Sequence, residues 1–408
     1  MTSLVLRSKN CGLFFSGQGI SLVGTWMAKV AAAWLVYQIG GSALELGLAG
    51  FSTQIPSLFI SPVAGVLIDQ WNRQQVLLAT QTLAALLSLV LAFMTLTERI
   101  EMTSFLTLSL FQGCVNAFDV PARQVWIAEM VDSKREIGEA IALNSLTISS
   151  ARLLGPSLAA IAIGTLGTGF CFLIDAVTYL PLIAILLTMK TVSQKALRSV
   201  SSRPWQQLKQ GFTYAASFSP VASIILLLAL VSLMAMPYSY LVPIFAKEAL
   251  AGGSDTLGVL MAFAGLGSLS GSCYLMSRKS VIGLETIMTW ATALTGMSLL
   301  CFSRSENLYV SSVALYCTGL CLVLQVAASN TLLQALVPDE KRGRIMSLFA
   351  LAYLGMVPLG SLLAGAVADW IGAATTLTIN GGICMLAAAL FRSQILPLKR
   401  SLAQTTNP

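Results

Sequence analysis

The sequence predicts an all-α membrane protein with twelve transmembrane helices in two pseudo-symmetric six-helix bundles. The first observation is composition: of 408 residues, 56% are apolar and 10% are charged, and the mean hydropathy is +0.80. An average soluble domain has roughly 25% charged residues, so lipid must face most of this chain. The second observation is a series of long apolar runs, and the third is a repeat that relates the two halves of the chain.

The apolar runs have about the 20 residues that a helix needs to cross roughly 30 Å of hydrocarbon. Each run is predicted to be helical, because a strand edge in lipid would leave backbone groups without hydrogen bonds. In chain order the predicted spans are 13–38, 46–68, 75–97, 102–122, 140–164, 168–189, 219–245, 256–277, 281–302, 307–331, 345–368 and 373–394.

The first span has an alternative interpretation. Arg7 and Lys9, followed by an apolar stretch with small residues at 31–33, also fit a cleaved signal peptide. The apolar stretch continues through Trp34, however, and the repeat requires a helix here. We therefore interpret it as the first transmembrane helix.

The loop charges orient the chain in the membrane. If the N-terminus lies in the cytoplasm, only Arg99, Lys247 and Arg304 fall in loops on the outer side, and the other loop cations lie inside. This distribution follows the positive-inside rule. It predicts a multi-pass protein of the bacterial inner membrane with both termini in the cytoplasm. It also accounts for the net charge of +7 without binding to nucleic acid.

Matched residues at a nearly constant shift relate the two halves. Gly155 and Gly360, Gly167 and Gly372, and Asp175 and Asn380 are 205 residues apart, and Gly47 and Gly258 are 211 apart. A shift near half the length indicates duplication of a six-helix unit, and chance matching of apolar segments is the alternative. We divide the chain into an N-terminal six-helix bundle (1–189), a polar cytoplasmic linker (190–218) and a C-terminal six-helix bundle (219–408).

Several stretches of the chain resemble the major facilitator superfamily (MFS). They are ISLVGTWMAKVAAAWLVYQIGGSALELGL, GVLIDQWNRQ, NAFDVPARQVWIAEMV, ALNSLTISSARLLGP and PIFAK, and the resemblance covers nearly the whole chain. Within the superfamily, the chain is most similar to the branch that includes the enterobactin exporter and macrolide-efflux-type proteins. The resemblance implies the MFS fold and a transporter that works by alternating access, with its substrate site between the halves.

A cluster of charges is predicted at the cytoplasmic gate. Gly65, Asp69 and Arg73, at four-residue spacing, are similar to the superfamily's gate motif. The glycine is expected to let helices approach closely. The arginine is expected to pair with a carboxylate of the fourth span, for which Asp119 is placed, and Asp119 and Arg123 lie one helical turn apart. These charges are predicted to latch the outward-facing state, and the alternative is a solvated loop anchor.

Arg152, Gly155 and Pro156 in the fifth span resemble the motif associated with antiporters of the superfamily. Glycine and proline weaken the helix and permit close packing, so that the helix can bend. The resemblance favours export, and ordinary packing of small residues is the alternative.

Charged and polar side chains inside the spans mark the predicted coupling and substrate site. A charge at mid-bilayer costs several kcal/mol unless it meets a partner or water. Lys29, Arg152 and Asp175 stand in spans, and Asp175 is the predicted proton-coupling group. The alternative is an Asp175 that is hydrogen-bonded between helices or salt-bridged to Lys29 or Arg152. The two cations are also suited to an anionic substrate. Uncharged members of the predicted cavity are Asn116, Asn144, Gln325 and Asn380.

These features predict a secondary-active, proton-coupled exporter of a drug-like or siderophore-like small molecule. Import of a metabolite on the same fold is the main alternative, and a lipid flippase is a further one. The chain contains no histidine, no Cys-x-x-Cys pair and no phosphate-binding loop, so we expect no enzyme activity, no metal and no cofactor. The expected partners are the substrate, protons and the lipid bilayer, and we expect a monomer.

Overall fold

Long helices joined by short turns make up the protein, as the computed structural model shows for residues 9–131, 134–189, 204–278 and 280–398. Within these residues the backbone contains no strand. Helices are expected where lipid surrounds the chain, because a helix satisfies its backbone hydrogen bonds internally. The all-α membrane fold predicted from composition is confirmed.

Six helices occupy the first half of the chain. They are α1 (Lys9–Ile39), α2 (Ala43–Gln70), α3 (Arg73–Leu96), α4 (Met102–Glu129), α5 (Lys134–Leu166) and α6 (Thr168–Thr188). The start of α3 is fixed by Asn72, whose side-chain oxygen accepts hydrogen bonds from the backbone N–H groups of Gln74 and Gln75. Such a cap satisfies donors that the first helical turn leaves open.

Shorter helical segments are more frequent in the second half. The helices are α7 (Pro204–Ser217), α8 (Ser219–Met234), α9 (Tyr238–Ile244), α10 (Ser254–Ser277), α11 (Leu284–Ser303), α12 (Leu308–Leu336), α13 (Asp339–Ala350), α14 (Met356–Ile371) and α15 (Ala373–Phe391). π-helical turns at Phe245–Ala249 and Leu351–Gly355 follow α9 and α13. Three of the membrane spans are therefore built from more than one helical segment, namely Ser219–Ala249, Glu340–Ile371 and Ala373–Leu398, in which the 3₁₀ turn Arg392–Gln394 follows α15.

Eleven helical stretches among the described residues are long and apolar enough to cross a membrane. The predicted span at 102–122 is not one of them, although it lies within the 28-residue helix α4. Gln112, Asn116 and Asp119 lower the apolar content of this helix. The polar residues that reduce its hydropathy include members of the predicted site.

The chain forms two compact units. The first comprises Met1–Gly41, Ser52–Ser199 and Ala251–Gly265, and the second comprises Ser42–Phe51, Val200–Leu250 and Leu266–Pro408. In the first unit, α1 packs against α5 and α6, and α3 packs against α4 and α6. In the second unit, α11 packs against α12 and α15. The division into bundles 1–189 and 219–408 stays a prediction.

Equivalent glycines of the repeat have the same local geometry in each unit. Gly167 connects α5 to α6 with φ +92°, and Gly372 connects α14 to α15 with φ +88°. Side chains rarely tolerate a positive φ, so both turns need glycine. Gly155 packs on α1, where an added Cβ would lie 2.5 Å from Trp26 Cβ, and a Cβ at Gly360 would clash with the carbonyl oxygen of Leu233.

Part of the predicted linker 190–218 is helical. Residues 190–203 lie outside the described part of the chain, and α7 follows them. This helix packs along α13, where Lys341 Nζ lies 4.3 Å from the centroid of the Tyr214 ring. The linker's second part is therefore a structured element of the second unit.

Candidate functional site

Asp175 is a buried carboxylate within the apolar helix α6. Its side chain accepts a 2.6 Å hydrogen bond at Oδ2 from the hydroxyl of Ser88 on α3, and the residue is only 3% exposed. The other oxygen, Oδ1, has no hydrogen bond of regular geometry among the described residues, although the Thr25 hydroxyl on α1 is close enough to interact with the carboxylate. A buried carboxylate oxygen without a donor is costly, and protonation of that oxygen removes much of the cost.

A pair of hydrogen-bonded hydroxyl groups lies one helical turn from Asp175. The hydroxyl oxygens of Tyr179, also on α6, and of Thr25 on α1 are hydrogen-bonded at 3.1 Å, and the Thr25 hydroxyl also lies 3.0 Å from the Ser21 carbonyl oxygen. The Ser21 hydroxyl donates to Gln81 Oε1 on α3 at 3.4 Å. Three helices of the first unit are therefore joined by side-chain hydrogen bonds.

The side-chain hydrogen bonds continue from Gln81 to Asp119 on α4. Gln81 Nε2 donates to Asp119 Oδ1 at 2.7 Å, and the Thr80 hydroxyl lies 2.9 Å from the same oxygen. Arg123 forms an ion pair with Oδ2. Asp119 is 6% exposed, so the pair lies in a medium of lower dielectric than water, which strengthens the attraction.

Arg73 pairs with Glu129 and not, as predicted, with Asp119. Arg73 Nε lies 3.5 Å from Glu129 Oε1, and the arginine is 2% exposed. Glu129 lies beyond the predicted fourth span. Burial raises the pKa of Glu129, and the positive charge of Arg73 opposes this rise. The acid partner of Arg73 is on the predicted helix but at its C-terminal end.

The remaining members of the predicted gate motif are Gly65 and Asp69. The prediction that Gly65 permits a close helix contact is wrong, since an added Cβ there would meet no atom within 4 Å. Among the described residues no helix passes within that distance of this face of α2, whereas Ala64 and Ile68 on the same helix are buried. The backbone of Asp69 lies in α2, but its side chain is outside the described part of the structure.

Lys29 and Arg152 both face the indole ring of Trp26. Lys29 Nζ lies 4.2 Å from the ring centroid and Arg152 Cζ lies 4.8 Å from it. Lys29 is exposed, and it interacts electrostatically with Arg152 and Asp175. Gly155 makes this arrangement possible, because its lack of a side chain brings α5 against the backbone of α1 at Trp26. Pro156 follows Gly155 inside α5, which continues through it.

The predicted polar cavity residues do not form one group. Asn144 on α5 accepts a 2.7 Å hydrogen bond from the buried Gln18 on α1, while Asn116 accepts one at 3.3 Å from Gln112 of its own helix. In the second unit, the placements are separate as well. Gln325 is fully buried with its amide 3.5 Å from Ser329, and Asn380 donates to the carbonyl oxygen of Met234 at 2.9 Å.

The sequence contained a signal for the connecting residues that we did not use. Polar residues in the apolar helices recur at helical spacing: Ser21, Thr25 and Lys29 on α1, Gln81 and Ser88 on α3, and Asp175 and Tyr179 on α6. Positions four or seven apart share one helix face. A search for such stripes would have found Ser21, Ser88, Gln81 and Tyr179.

A polar network inside an apolar helical unit, with a buried carboxylate and few fixed partners, is typical of transport proteins. A protein-family model described as transmembrane secretion effector matches residues 6–407. The chain belongs to this family. The staphyloferrin A transporter of Staphylococcus aureus (strain NCTC 8325 / PS 47) is 24% identical over 389 residues, which cover 95% of this chain and 97% of that protein.

That family is one of the MFS, and two further comparisons agree with it. Macrolide efflux protein A of Streptococcus pyogenes is 19% identical and covers 92% of this chain and 93% of its own length. A crystal structure of a bacterial homologue of the human lysosomal transporter Spinster superimposes with a TM-score of 0.74 at 12% identity, covering 99% of both chains. The resemblance to the MFS branch of siderophore and macrolide-efflux transporters is confirmed, and the protein is a multi-pass membrane transporter.

Proposed function

We propose that this secretion effector is a secondary-active exporter that moves a drug-like or siderophore-like small molecule in exchange for protons, by alternating access. We place it in the bacterial inner membrane as a monomer with both termini in the cytoplasm. The names of the relatives, which specify transport of staphyloferrin A and efflux of macrolides, support a small-molecule substrate. The antiporter-like residues Arg152, Gly155 and Pro156 support exchange.

The observation that carries the proposal is the state of Asp175. It is the buried carboxylate of α6, it has one strong hydrogen bond from Ser88, and its second oxygen has no regular hydrogen bond or ion pair among the described residues, where the Thr25 hydroxyl is the group close to it. A structural carboxylate in a membrane helix is expected to have both oxygens satisfied. A carboxylate held by hydroxyl groups, with no ion pair among the described residues, is suited to gaining and losing a proton, which is what a coupling group must do.

Coupling also requires that protonation at Asp175 change the affinity for substrate. Lys29 supplies that connection, because it interacts with Asp175 and stands with Arg152 on the Trp26 ring. We assign substrate contact to this group of three residues on α1 and α5. Loss of the negative charge of Asp175 changes the electrostatic field at Lys29, and therefore the binding of a ligand there.

The gate cluster is assigned a separate task. Asp119 and Arg123 are tied to the coupling region through Gln81, Ser21, and the Thr25–Tyr179 pair. Each of these bonds constrains where the helices can sit. We propose that the bonds form in one access state and break in the other, so that the proton site and the gate respond together.

Transport in proteoliposomes tests the proposal. The protein is reconstituted, and accumulation of erythromycin and of enterobactin is followed with the lumen more acidic than the outside, with the reverse gradient, and without one. Exchange predicts accumulation that is stimulated only by an acidic lumen. Accumulation that is the same in all three conditions would remove the claim of proton coupling.

Import of an anionic metabolite together with protons is the second candidate, and Lys29 and Arg152 favour it. An anion held by these cations binds more tightly after Asp175 gains a proton, because the competing negative charge is gone. Proton and anion would then load together, and an acidic exterior would drive accumulation. The same experiment therefore separates the two functions by the direction of the effective gradient.

A further inference from the structure

An apolar groove runs between α3 and α4 in the first unit. Its volume is about 560 Å³, within the range of pockets that hold drug-sized ligands. The lining residues are Trp71, Asn72, Gln75, Val76, Ala79, Thr80, Leu83, Leu87, Phe111, Cys114, Val115 and Phe118. The groove is not part of the coupling site, since neither Lys29, Arg152 nor Asp175 lines it.

The position of the groove indicates what fills it. One wall is α3, a membrane span, and Leu83 and Phe111 on its rim are 51% and 55% exposed. At this depth the surrounding medium is hydrocarbon. The polar lining residues Asn72 and Gln75 stand at the end where the span begins. The groove is thus apolar along its length with polar groups at one end, which matches one chain of a phospholipid.

The groove also reaches the gate cluster. Thr80 lines it, and the hydroxyl of the same residue contacts Asp119 Oδ1 at 2.9 Å. Phe118, which precedes Asp119 on α4, stacks with Trp71 at a centroid distance of 6.3 Å and an interplanar angle of 11°. Whatever occupies the groove therefore lies against the residues that hold the Asp119–Arg123 pair.

We propose that this groove binds one acyl chain of a membrane phospholipid, and that the bound chain stabilises the gate by keeping water from the Thr80–Asp119 contact. Hydrocarbon in the groove lowers the local dielectric, and an ion pair or hydrogen bond is stronger in such a medium. Without a bound chain, water entering from the polar end at Asn72 and Gln75 would compete for Thr80 and Asp119. The proposal does not depend on the direction or coupling of transport.

Fluorescence quenching by brominated lipid tests the binding. Full-length protein is reconstituted in phosphatidylglycerol with brominated or ordinary chains, and the contribution of Trp71 is obtained by difference from Trp71→Phe. Ala79→Phe fills the groove with a ring, while Leu86→Phe, on an exposed position of the same helix outside the groove, is the matched control. We expect equal quenching of Trp71 in wild type and in Leu86→Phe and weaker quenching in Ala79→Phe, where the 46% exposed indole still meets lipid outside the groove.

A stability measurement tests the effect on the gate. Detergent-purified protein is titrated with phosphatidylglycerol, and its thermal midpoint is followed, since a ligand that binds only the folded state raises stability. We expect the thermal midpoint to rise saturably in wild type and not to rise in Ala79→Phe. In Asp119→Asn we expect a smaller rise, because this variant keeps the groove but removes the charge that the acyl chain shields from water. Equal quenching of Trp71 in Ala79→Phe and wild type, or the same rise in Asp119→Asn and wild type, would overturn the proposal.

Discussion

Gln81 Nε2 lies 2.7 Å from Asp119 Oδ1 and is the only side-chain amide among the described residues that donates to this carboxylate. Both residues are almost completely buried, at 2% and 6% exposure. The amide oxygen of Gln81 accepts in turn from Ser21. One glutamine therefore connects the gate carboxylate on α4 to the polar face of α1.

Replacing this amide tests how far the gate depends on it. Gln81→Leu keeps the size of the side chain but removes a hydrogen bond to a charged group, which costs about 1.5–3 kcal/mol of folding stability. We expect this loss in denaturant or thermal unfolding of the purified protein. Thr82→Val, which removes an exposed hydroxyl bonded only to the Leu78 carbonyl on the same helix, is the control and should change stability by less than about 0.5 kcal/mol.

The same pair of variants separates a gate role from mere packing. If the bond helps to hold one access state, Gln81→Leu should also change the accessibility of thiol probes placed along α1, whereas Thr82→Val should not. Equal unfolding free energies for Gln81→Leu and Thr82→Val would show that the amide contributes nothing to the cluster.

Asp175→Asn tests proton coupling directly. The repeat places an amide, Asn380, at the equivalent position of the second half, where it is buried and hydrogen-bonded. An amide at position 175 is therefore expected to fold. Linkage between two ligands typically amounts to about 1–3 kcal/mol, or 5–150-fold in affinity, and Asp175→Asn should reduce this linkage to nothing. Substrate binding should then be independent of pH, and accumulation should no longer respond to the pH gradient.

Ser88→Ala distinguishes a coupling carboxylate from a structural one. Removing the 2.6 Å hydrogen bond should shift the pH profile of transport. Transport should still respond to the pH gradient, because the titrating group is still present. A structural Asp175 predicts the opposite result, in which Ser88→Ala lowers stability and leaves the pH profile of any transport unchanged.

The Arg73–Glu129 pair predicts a pH dependence of stability with a definite sign. Burial raises the pKa of Glu129 in the folded protein, so the folded state favours the protonated form. The resulting stability is fully present below the pKa of an unfolded glutamate, about 4.3, and is lost as pH rises through the higher folded value. Relative to Glu129→Gln, the wild type should therefore lose stability as pH rises.

Unfolding measured between about pH 4 and pH 7 checks this sign. The attraction to Arg73 acts only on ionised Glu129 and is already part of its folded pKa, so the change of the stability difference with pH is the quantity of interest. Arg73→Gln removes the charge that holds the pKa of Glu129 down, and the loss should then extend to higher pH. Glu306→Gln, at an exposed loop position, is the control; a similar pH-dependent difference there would show that the effect is not specific to Glu129.

Composition and periodicity were enough to predict the all-helical membrane fold and the approximate positions of the spans other than 102–122. They could not fix which side chains meet. Asp119 and Glu129 are both on α4, separated along the helix by about 15 Å at 1.5 Å per residue. The partner of Arg73 is decided by how far α3 is displaced along α4, and no local pattern encodes that displacement.

The Gly65 prediction failed for a related reason. A glycine in a membrane helix indicates a close contact only if another helix passes at that point, and the sequence gives no direct information on where helices cross. Gly155, by contrast, is next to Pro156 in a helix that packs along α1. The hydrogen bonds of Tyr179, Thr25 and Gln81 required three helices to be placed at once, although the helical spacing of their polar residues was visible.

Three glycines allow the packing argument to be tested within one protein. A Cβ at Gly155 would lie 2.5 Å from Trp26 Cβ and 2.9 Å from the backbone nitrogen of Met27, whereas a Cβ at Gly65 or Gly164 would meet nothing within 4 Å. Backbone cannot move aside as a flexible side chain does. Gly155→Ala is therefore expected to separate α5 from α1 and to cost about 1–3 kcal/mol.

Gly164→Ala, on the same helix, is the matched control for Gly155→Ala. Both substitutions gain the better helix propensity of alanine, so any difference between them reports the contact with Trp26. We expect Gly164→Ala and Gly65→Ala to be neutral or slightly stabilising in unfolding measurements. Because Lys29 and Arg152 meet on the Trp26 ring, Gly155→Ala should also weaken substrate binding, while Gly164→Ala should not. Equal stability and equal binding in the two α5 variants would mean that close approach of α5 to α1 is not what positions the cations.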